Sequence, residues 1–397
     1  MRIAIIADTA GACAGIARYA RELTTGMINS DLVDEVIVLH SYNWLKQARP
    51  RLEGIETQKV KEVILPLPNA PFRKELRQMF ITPFALSKMR GDKIDIVHDL
   101  HQFAPFLLSA GSYAKVATVH DITPFATRWL HPRSRRVSFY IRYKYVLPLI
   151  LKRTQAIIAI SANTKKDLVQ YIGIPADKIR VIHHGISEDY HPMKDPELLK
   201  KVRHDYGLNS PFVLAQATYL SPVDNVGVLL EAFRLLRADI SKGNTKLEAV
   251  RLVFFGDHSP DLVRRVKNIG LQDAVSFLGF VPESVLPIIY SVAELFVYPS
   301  LYDGFGFPPL EAMACGTPTI VSNVASLPEV VGDAALKFNP HDPMELAKAM
   351  YHVLTKEDVR NNLSSRGLKR AGQFSWAKTV SETLKLYSEL LDRKRLT

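Results

Sequence analysis

The stretch Tyr298-Pro-Ser-Leu-Tyr-Asp-Gly-Phe-Gly-Phe-Pro-Pro-Leu-Glu-Ala-Met-Ala-Cys-Gly-Thr-Pro318 contains the densest group of turn and helix signals in the chain. The apolar run 293–298 predicts a short buried strand, which Pro299 ends because proline has no backbone N–H for a sheet. Gly304 and Gly306 come next, and glycine tolerates positive φ and lets a ligand approach the backbone closely. The stretch therefore predicts a strand that leads into a glycine-rich binding loop.

Two prolines and two acids lie close to that loop. Pro308 and Pro309 favour a helix start, so we predict a helix over 310–315 whose N-terminus is suited to anions. Asp303 precedes the loop and Glu311 is expected in the first helical turn. Because carboxylates repel phosphate, these acids are expected to bind sugar or ribose hydroxyls. The alternative is a plain Gly/Pro turn before a helix with an ordinary acidic first turn.

The segment from Gly304 to Pro318 resembles, without gaps, the donor-sugar motif of retaining glycosyltransferases of the family 4 type, which have the GT-B fold. That motif has a Glu, then G-F-G-[LF]-[PT], then a second Glu eight residues after the first. Asp303 takes the first place, one methylene shorter, and Glu311 takes the second. The resemblance implies that Asp303 binds donor-sugar hydroxyls and Glu311 binds the ribose. It also implies that a set of loop residues contacts sugar or phosphate: Gly304, Phe305, Gly306 and Phe307.

Length and composition point to a two-domain globular protein. The chain has 397 residues, a net charge of +11 and 47% hydrophobic residues. No apolar run reaches the roughly 18–20 residues of a membrane span, and the apolar start of the chain is too short for a signal peptide. Its two cysteines fit a reducing compartment. We therefore expect a cytoplasmic protein, with a peripheral position at the inner face of the cell membrane.

Most of the positive charge lies between residues 71 and 153, where basic and aromatic residues alternate. Such a patch attracts anionic lipid, phosphorylated substrate or nucleic acid, although a solvated face or a core helix with basic flanks has the same composition. A nucleic-acid partner is the weakest of these, because no nucleic-acid module is recognisable. The candidates for acceptor or membrane contact are Trp129, Arg133, Arg135, Arg136 and Arg142.

The N-terminal half opens with a strand over 2–8, a glycine loop and a helix over 16–27, as nucleotide-binding α/β units do. Gly15 begins a segment that resembles the opening of the same glycosyltransferases, which implies that phosphates approach it. His120, in T-V-H-D-I-T-P, resembles the family's T-[IV]-H-D-x-x-P motif and by that resemblance reaches the donor sugar. A hydrogen-bonded histidine at a strand end is the alternative.

The sequence predicts neither a metal nor a cofactor. His98 and His101 have an H-x-x-H spacing that zinc sites use, but no third ligand accompanies them and no D-x-D motif occurs.

The second half repeats the strand–helix pattern, which predicts two Rossmann-like domains facing across a cleft. We place the domains at 1–192 and 193–375, with 376–397 as a helix that returns to the first domain, as the resemblance implies. The segment before the boundary resembles a family motif in which His184 replaces an Asn. In the family, the turn ending at Val281 contacts the nucleotide base.

One departure from the family lies at residues 218–225. The Arg and Lys that usually neutralise the donor diphosphate are replaced by Tyr219 and Asp224. Three explanations remain: another base such as Arg251 or Arg18 substitutes, the donor is unusual, or the chain is a weak or inactive relative.

The resemblance as a whole implies transfer of a hexose, with mannose as a candidate, from a GDP- or UDP-sugar to a glycan or lipid-linked acceptor, with retention at the anomeric carbon. The main alternative is a non-catalytic GT-B subunit of a partner transferase. A nucleotide-sugar epimerase or a phosphorylase shares the architecture, but the lysine or dense phosphate site that a phosphorylase needs is missing.

Overall fold

The computed structural model describes residues 1–7, 14–40, 57–66, 80–89, 93–101, 103, 111–123, 127, 142–217, 222–240 and 247–395. Its contacts divide the chain into two units. The first unit combines residues 1–185 with 375–397, and the second unit holds 186–374.

The strands, in chain order, are β1 Arg2–Ile6, β2 Glu35–His40, β3 Val60–Ile64, β4 Ile96–Asp99, β5 Ala114–Val119, β6 Ala156–Ala159, β7 Ile179–Val181, β8 Phe212–Gln216, β9 Arg251–Phe255, β10 Val275–Gly279, β11 Leu295–Tyr298, β12 Thr319–Ser322 and β13 Leu336–Phe338. The helices are α1 Ala14–Ile28, α2 Thr82–Lys88, α3 Leu147–Lys152, α4 Ala162–Asp167, α5 Pro196–Asp205, α6 Val226–Ile240, α7 Pro260–Asn268, α8 Leu286–Val292, α9 Phe307–Ala314, α10 Leu327–Val331, α11 Pro343–Thr355, α12 Glu357–Ala371 and α13 Trp376–Arg395.

Each unit is built on one parallel sheet. In the described part of the first unit the strand order is β3-β2-β1-β4-β5-β6-β7, and in the second it is β10-β9-β8-β11-β12-β13. The central strands, such as β1, β2, β6 and β11, are near-continuous buried apolar runs, as expected where helices cover both faces of a parallel sheet. This confirms the predicted α/β class with two Rossmann-like domains.

The order of the strands reverses direction once in each sheet, between β1 and β4 and between β8 and β11. Ligands of open α/β sheets bind beside such a reversal, at the carboxyl ends of the strands. In the second unit the glycine-rich loop comes directly after β11 and so begins at that position.

The helix after this loop starts earlier than the sequence predicted. It begins at Phe307 rather than at residue 310, because Gly306 takes a left-handed conformation (φ 103°) and turns the chain into it. The fixed φ of Pro308 and Pro309 suits the first helical turn, so the prolines lie inside the helix and not before it. Gly304 and Gly306 are both buried.

The first unit ends at Gly185, whereas the sequence-based boundary lies at residue 192. Residues 186–192 pack with the second unit: the N–H of Ile186 donates to the carbonyl of Phe374, and the ring of Tyr190 lies 6.3 Å from that of Tyr290.

Helix α13 packs against α1 in the first unit. The hydroxyl of Thr379 donates to the carbonyl of His183 at 2.7 Å, and Arg180 pairs with Glu389 at 2.6 Å. A Cβ on Gly26 would collide with Val380, so the two helices approach as closely as glycine allows.

Within the described ranges, none of the helices is both long enough and apolar enough to cross a bilayer.

Candidate functional site

Asp303 holds the glycine-rich loop in shape from within. Its Oδ1 accepts the backbone N–H of Phe305 at 2.8 Å, and its Oδ2 accepts the hydroxyl of Tyr298 at 2.8 Å. The residue that we expected to bind a sugar is therefore also the residue that forms the loop.

A serine on a neighbouring turn locks the same loop. The hydroxyl of Ser326 lies 2.8 Å from the carbonyl oxygen of Asp303 and 3.0 Å from that of Phe305. The ring of Phe305 is buried and meets Phe307 and Phe374 edge-on at 5.2 and 5.8 Å. The loop is thus fixed by packing as well as by hydrogen bonds, which is how a binding loop is preorganised.

The expectation that the whole loop presents backbone donors to a ligand needs correction. The N–H of Phe305 is already bonded within the loop, and Pro308 and Pro309 have none to give. The N–H of Leu310 is also taken, because it donates to the carbonyl of Gly306 at 3.3 Å. The anion site at this helix is therefore smaller than the sequence suggested.

Glu311 lies in the second turn of α9, not in the first as expected, because the helix starts at Phe307. Its side chain is buried, with 4% of the residue exposed, and its Oε2 accepts the hydroxyl of Tyr290 at 3.2 Å. Burial and the charge of Glu311 raise the pKa of Tyr290 well above its ordinary value, so this phenol stays a donor. Tyr290, which sequence reasoning missed, orients the candidate ribose-binding carboxylate.

Asp224 brings a further negative charge to this edge of the sheet. Burial, then Asp303 and Asp224, raise the pKa of Tyr298 well above its usual range. Asn225, at φ 54°, donates from Nδ2 to the carbonyls of Pro299 and Pro340 at 3.1 and 2.7 Å. Asn225 therefore ties the start of α6 to the exit of β11, and the acid Asp224 stands beside it where the family has a lysine.

A cavity of about 590 Å³ lies beside the same loop, between the first turns of α6 and α7. The side chain of Arg265 lines it, and a Cβ on Gly227 would meet the Arg265 guanidinium at 2.7 Å. Asp261, which also lines the cavity, pairs with the next arginine, Arg264. The absence of a side chain at Gly227 makes room for the Arg265 guanidinium.

The predicted base-contacting turn comes after β10. Gly279 has φ 68° and its carbonyl accepts the N–H of Gly256 at 2.8 Å, which joins the exits of β9 and β10. Val281 is buried, whereas Phe280 is largely exposed.

In the first unit, His120 comes directly after β5 and is buried. Its Nε2 lies 2.8 Å from the carbonyl oxygen of Leu100, and a carbonyl only accepts, so Nε2 carries the proton and Nδ1 is the acceptor nitrogen of the neutral ring. The ring of Tyr19 meets it edge-on at 5.2 Å. Gly15, the other predicted residue of this unit, is the second residue of α1.

A buried hydrogen-bond network lies beside His120. The Nε2 of His98 is 2.8 Å from the hydroxyl of Thr118, which is 2.9 Å from the hydroxyl of Tyr19. The Nδ1 of His98 is 2.6 Å from the hydroxyl of Tyr387 on α13. His98 is thus a structural residue that joins the sheet to the C-terminal helix. Its H-x-x-H spacing gave no indication of this role.

His184 completes this cluster. Its ring lies 4.7 Å from that of Tyr19, 5.4 Å from that of His120 and 5.7 Å from that of Trp376. Burial, then the charge of His120, lowers the pKa of His184 well below its ordinary value. The replacement of the family's Asn by His184 therefore enlarges an aromatic cluster.

This cluster predicts acid sensitivity of the first unit. Burial lowers the pKa of His98 to about 3 and also lowers that of His120 and His184. The unfolded chain binds protons near pH 6.5 and the folded chain does not, so the free energy of unfolding should fall as pH drops below about 6.5. The expected slope is about 1.4 kcal/mol per pH unit for each histidine that stays neutral, measured by urea unfolding between about pH 7.5 and 4.5.

The control is His204, an exposed histidine of the second unit, whose replacement by Gln should leave that slope unchanged. A slope of zero below pH 6 would contradict neutral burial of the cluster.

The remaining candidates fall outside the described residues: Tyr219, Trp129, Arg133, Arg135, Arg136 and the side chain of Arg142. Within the described ranges, no three His, Cys, Asp or Glu side chains come together as they would around a metal ion.

Known families match both halves of the chain. The family described as "Glycosyltransferase Family 4" matches residues 14–190, and the family described as "Glycosyl transferases group 1" matches residues 200–370. Together the two matches include the candidate residues of both units, from Gly15 to Glu311.

Among curated proteins, O-antigen chain mannosyltransferase B of Escherichia coli is 30% identical over 382 residues, which is 95% of this chain and 96% of that protein. The serotype-specific mannosyltransferase WbdA of Escherichia coli is 32% identical over 248 residues, which is 62% of this chain but 30% of that protein. The chain therefore spans under a third of WbdA and nearly all of mannosyltransferase B.

Among solved structures, Anabaena Alr3699/HepE in complex with UDP-glucose has a TM-score of 0.75 and 18% sequence identity, covering 98% of this chain and 100% of that one. At this identity the likeness concerns the fold, and it confirms the predicted GT-B class.

Proposed function

The chain belongs to the GT-B glycosyltransferases of the family 4 type, and we propose that it is itself an active glycosyltransferase, which transfers mannose or another hexose from a nucleotide-sugar donor to a hydroxyl during cell-surface polysaccharide synthesis. The observation that carries this proposal is the similarity to O-antigen chain mannosyltransferase B along 95% of the chain.

The donor sits, in this proposal, at the carboxyl edge of the second sheet. Glu311 binds the ribose, held for that task by Tyr290, and Asp303 binds donor-sugar hydroxyls from the loop that its own hydrogen bonds hold in shape. The N–H groups of Gly306 and Phe307 contact sugar or phosphate at the start of α9. The base lies against the turn before Val281.

The first unit contributes His120 and Gly15. We assign to His120 a contact with the donor sugar, on the resemblance of its segment to the family's T-[IV]-H-D-x-x-P motif. We assign no protein nucleophile. Transfer with retention is proposed on the family resemblance, with the leaving phosphate as a candidate base.

The family's diphosphate-binding Arg and Lys need a replacement, and Arg265 is the candidate in the described part of the second unit. Arg251 opens β9, at the opposite edge of the sheet from the glycine-rich loop, and donates to Ser276 at 3.2 Å. Arg265 instead lines the cavity beside Asn225, where the family's lysine would precede α6. A guanidinium there can donate to two phosphate oxygens.

Titration calorimetry with GDP, UDP and ADP tests the donor. One of them should bind, and Arg265→Gln should weaken that binding about 10- to 100-fold, the effect expected of losing a charge-assisted hydrogen bond. Binding of the corresponding nucleoside, which has no phosphate, should not change. Arg264→Gln, on the same helix but paired with Asp261, is the matched control and should bind as the wild type does.

The alternative of a non-catalytic partner subunit is not favoured, since the relatives are named enzymes. If none of the three nucleotides binds to the folded chain, the non-catalytic subunit becomes the favoured alternative. An equal loss of nucleotide affinity in the Arg264 and Arg265 variants would instead reject Arg265 as the phosphate contact. It would leave the proposal of a glycosyltransferase standing.

The acceptor is a glycan or a lipid-linked glycan, presented at the inner face of the cell membrane. The basic composition of the first half of the chain supports this location.

A further inference from the structure

An arginine of the second unit contacts two of the elements that fix the glycine-rich loop. Arg370 lies one residue before the end of α12, and its side chain reaches both α10 and Phe374. We propose that Arg370 is a positioning residue for the donor sugar, which sets the place of the Asp303 carboxylate without touching the donor. This inference rests on the proposed function, because it takes the glycine-rich loop as the loop that binds the sugar.

The guanidinium of Arg370 is bound to the end of α10. Its Nε donates to the carbonyl of Val330 at 2.8 Å, and a terminal nitrogen donates to the carbonyl of Glu329 at 2.6 Å. The last carbonyls of a helix have no partner within the helix itself, and α10 has only five residues. The planar fork of an arginine can serve two such carbonyls at once. Arg370 therefore caps α10 and fixes the position of its end.

The other end of α10 touches the glycine-rich loop. The hydroxyl of Ser326, just before the helix, lies 2.8 and 3.0 Å from two carbonyl oxygens of the loop. Leu327, the first residue of the helix, packs so closely on Gly306 that a Cβ there would lie 2.9 Å from the leucine Cδ2. A five-residue helix is about 7.5 Å long, so a shift at the end that Arg370 holds is passed on to the loop.

A second contact connects Arg370 to the same loop through Phe374. The guanidinium carbon lies 4.9 Å from the centre of the Phe374 ring, within the range of a cation–π contact. That ring meets the buried ring of Phe305 edge-on at 5.8 Å. The remaining guanidinium nitrogen donates to the side chain of Gln373 at 2.6 Å, so all three nitrogens have an acceptor. The arginine is thus held in one arrangement while it supports the loop from two elements.

The place of the Asp303 carboxylate depends on the residues that these elements hold. Its Oδ1 accepts the N–H of Phe305 at 2.8 Å, so the carboxylate moves with the loop backbone. A binding group has to stay within about 0.5 Å of its productive position. Arg370 should therefore affect the part of the donor affinity that the sugar contributes. The part that the nucleotide contributes, for which Glu311 is the candidate, should not depend on it.

Hydrogen exchange of the full chain without ligand tests the positioning directly. In Arg370→Gln the amide of Phe305 should exchange about 10-fold faster than in the wild type, because a looser loop opens its bond to Asp303 more often. Amides of the central strands β8 and β11 should exchange as before, which separates a local effect from lower stability of the whole unit. Arg370→Lys keeps the charge but has no fork, so its exchange rate should lie between the two.

Titration calorimetry extends the test to the donor. Each variant is titrated with GDP and GDP-mannose, and with UDP and UDP-glucose, and the gain in affinity that the sugar brings is compared. Arg370→Gln should reduce this gain about 10-fold, roughly the effect of losing one charge-assisted hydrogen bond, while the nucleoside diphosphate binds as it does to the wild type. Ser326→Ala, at the other end of α10, should have a similar effect.

The matched control is Arg366→Gln, one turn earlier on α12, which removes the same charge. Arg366 forms a largely exposed ion pair with Asp333 at 2.7 Å, so this variant should match the wild type in both experiments. The proposal is overturned if the Phe305 amide of Arg370→Gln exchanges at the wild-type rate, or if β8 and β11 accelerate as much as the loop. It is also overturned if the gain from the sugar is unchanged.

The two experiments keep this proposal distinct from the proposed function. If the wild type binds neither GDP-mannose nor UDP-glucose, the proposed function fails. The exchange rate of the Phe305 amide then still decides whether Arg370 holds the loop.

Discussion

Glu311→Gln is expected to weaken binding of the donor nucleoside diphosphate about 10- to 100-fold and to lower the rate of sugar transfer at least as much. The amide keeps the shape of the side chain and can still accept from Tyr290, but it loses the charge that strengthens hydrogen bonds to ribose hydroxyls. The carboxylate is buried, so solvent screens that charge little. Titration calorimetry against the nucleotide that the wild type prefers measures the loss.

A comparison of two nucleotides that differ only in their ribose hydroxyls separates the loss of a ribose contact from a general disturbance of the site. The wild type should prefer the ribonucleoside diphosphate to its 2′,3′-dideoxy analogue, and Glu311→Gln should abolish most of that preference. Tyr290→Phe, which removes the orienting hydroxyl but keeps the carboxylate, should reduce the preference only in part. If Glu311→Gln weakens both nucleotides equally, Glu311 acts through the fold and not through the ribose.

Gly185→Ala should lower the free energy of unfolding of the first unit by about 3 kcal/mol or more. A Cβ at Gly185 would fall on the backbone of Ser375 and Trp376, and a helix backbone cannot turn aside as a flexible side chain can. The start of α13 would have to move, and with it the bond between Tyr387 and His98. Thermal unfolding should begin roughly 6–12 °C lower, with a changed fluorescence of Trp376.

Gly372→Ala provides the matched control four residues before the start of α13. Gly372 has ordinary helical backbone angles, and a Cβ there would touch nothing closer than 3.6 Å. This substitution should leave stability unchanged or raise it slightly, by restricting the unfolded chain. Equal melting temperatures for the Gly185 variant and the wild type would mean that α13 tolerates displacement and does not complete the first unit.

The sequence was most informative where local rules decide the structure. Alternating strands and helices predicted both parallel sheets, and the run of Gly304 to Pro318 predicted the loop and helix that come after β11. The helix start was predicted three residues late because Pro308 and Pro309 were read as preceding the helix. Their fixed φ is already helical, and the left-handed Gly306 is the true boundary.

Contacts between distant segments could not be predicted in this way. Tyr290 and Glu311 belong to different helices, and nothing in the spacing of 21 residues marks them as partners. The contact of Tyr387 with His98 spans 289 residues. Similarly, Gly227 was unremarkable in the sequence, and its importance appears only once the guanidinium of Arg265 is seen beside it.

The return of α13 to the first unit has a consequence for biosynthesis. Residues 186–374 form a unit of their own, so they can fold on the ribosome as soon as they have emerged. The first sheet, although translated earlier, must wait for α13 while this intervening segment is made, roughly 10–40 s at ordinary rates of synthesis. During that interval His98 and the face of α1 around Gly26 lack their native partners, which makes the nascent first unit the natural client of a chaperone.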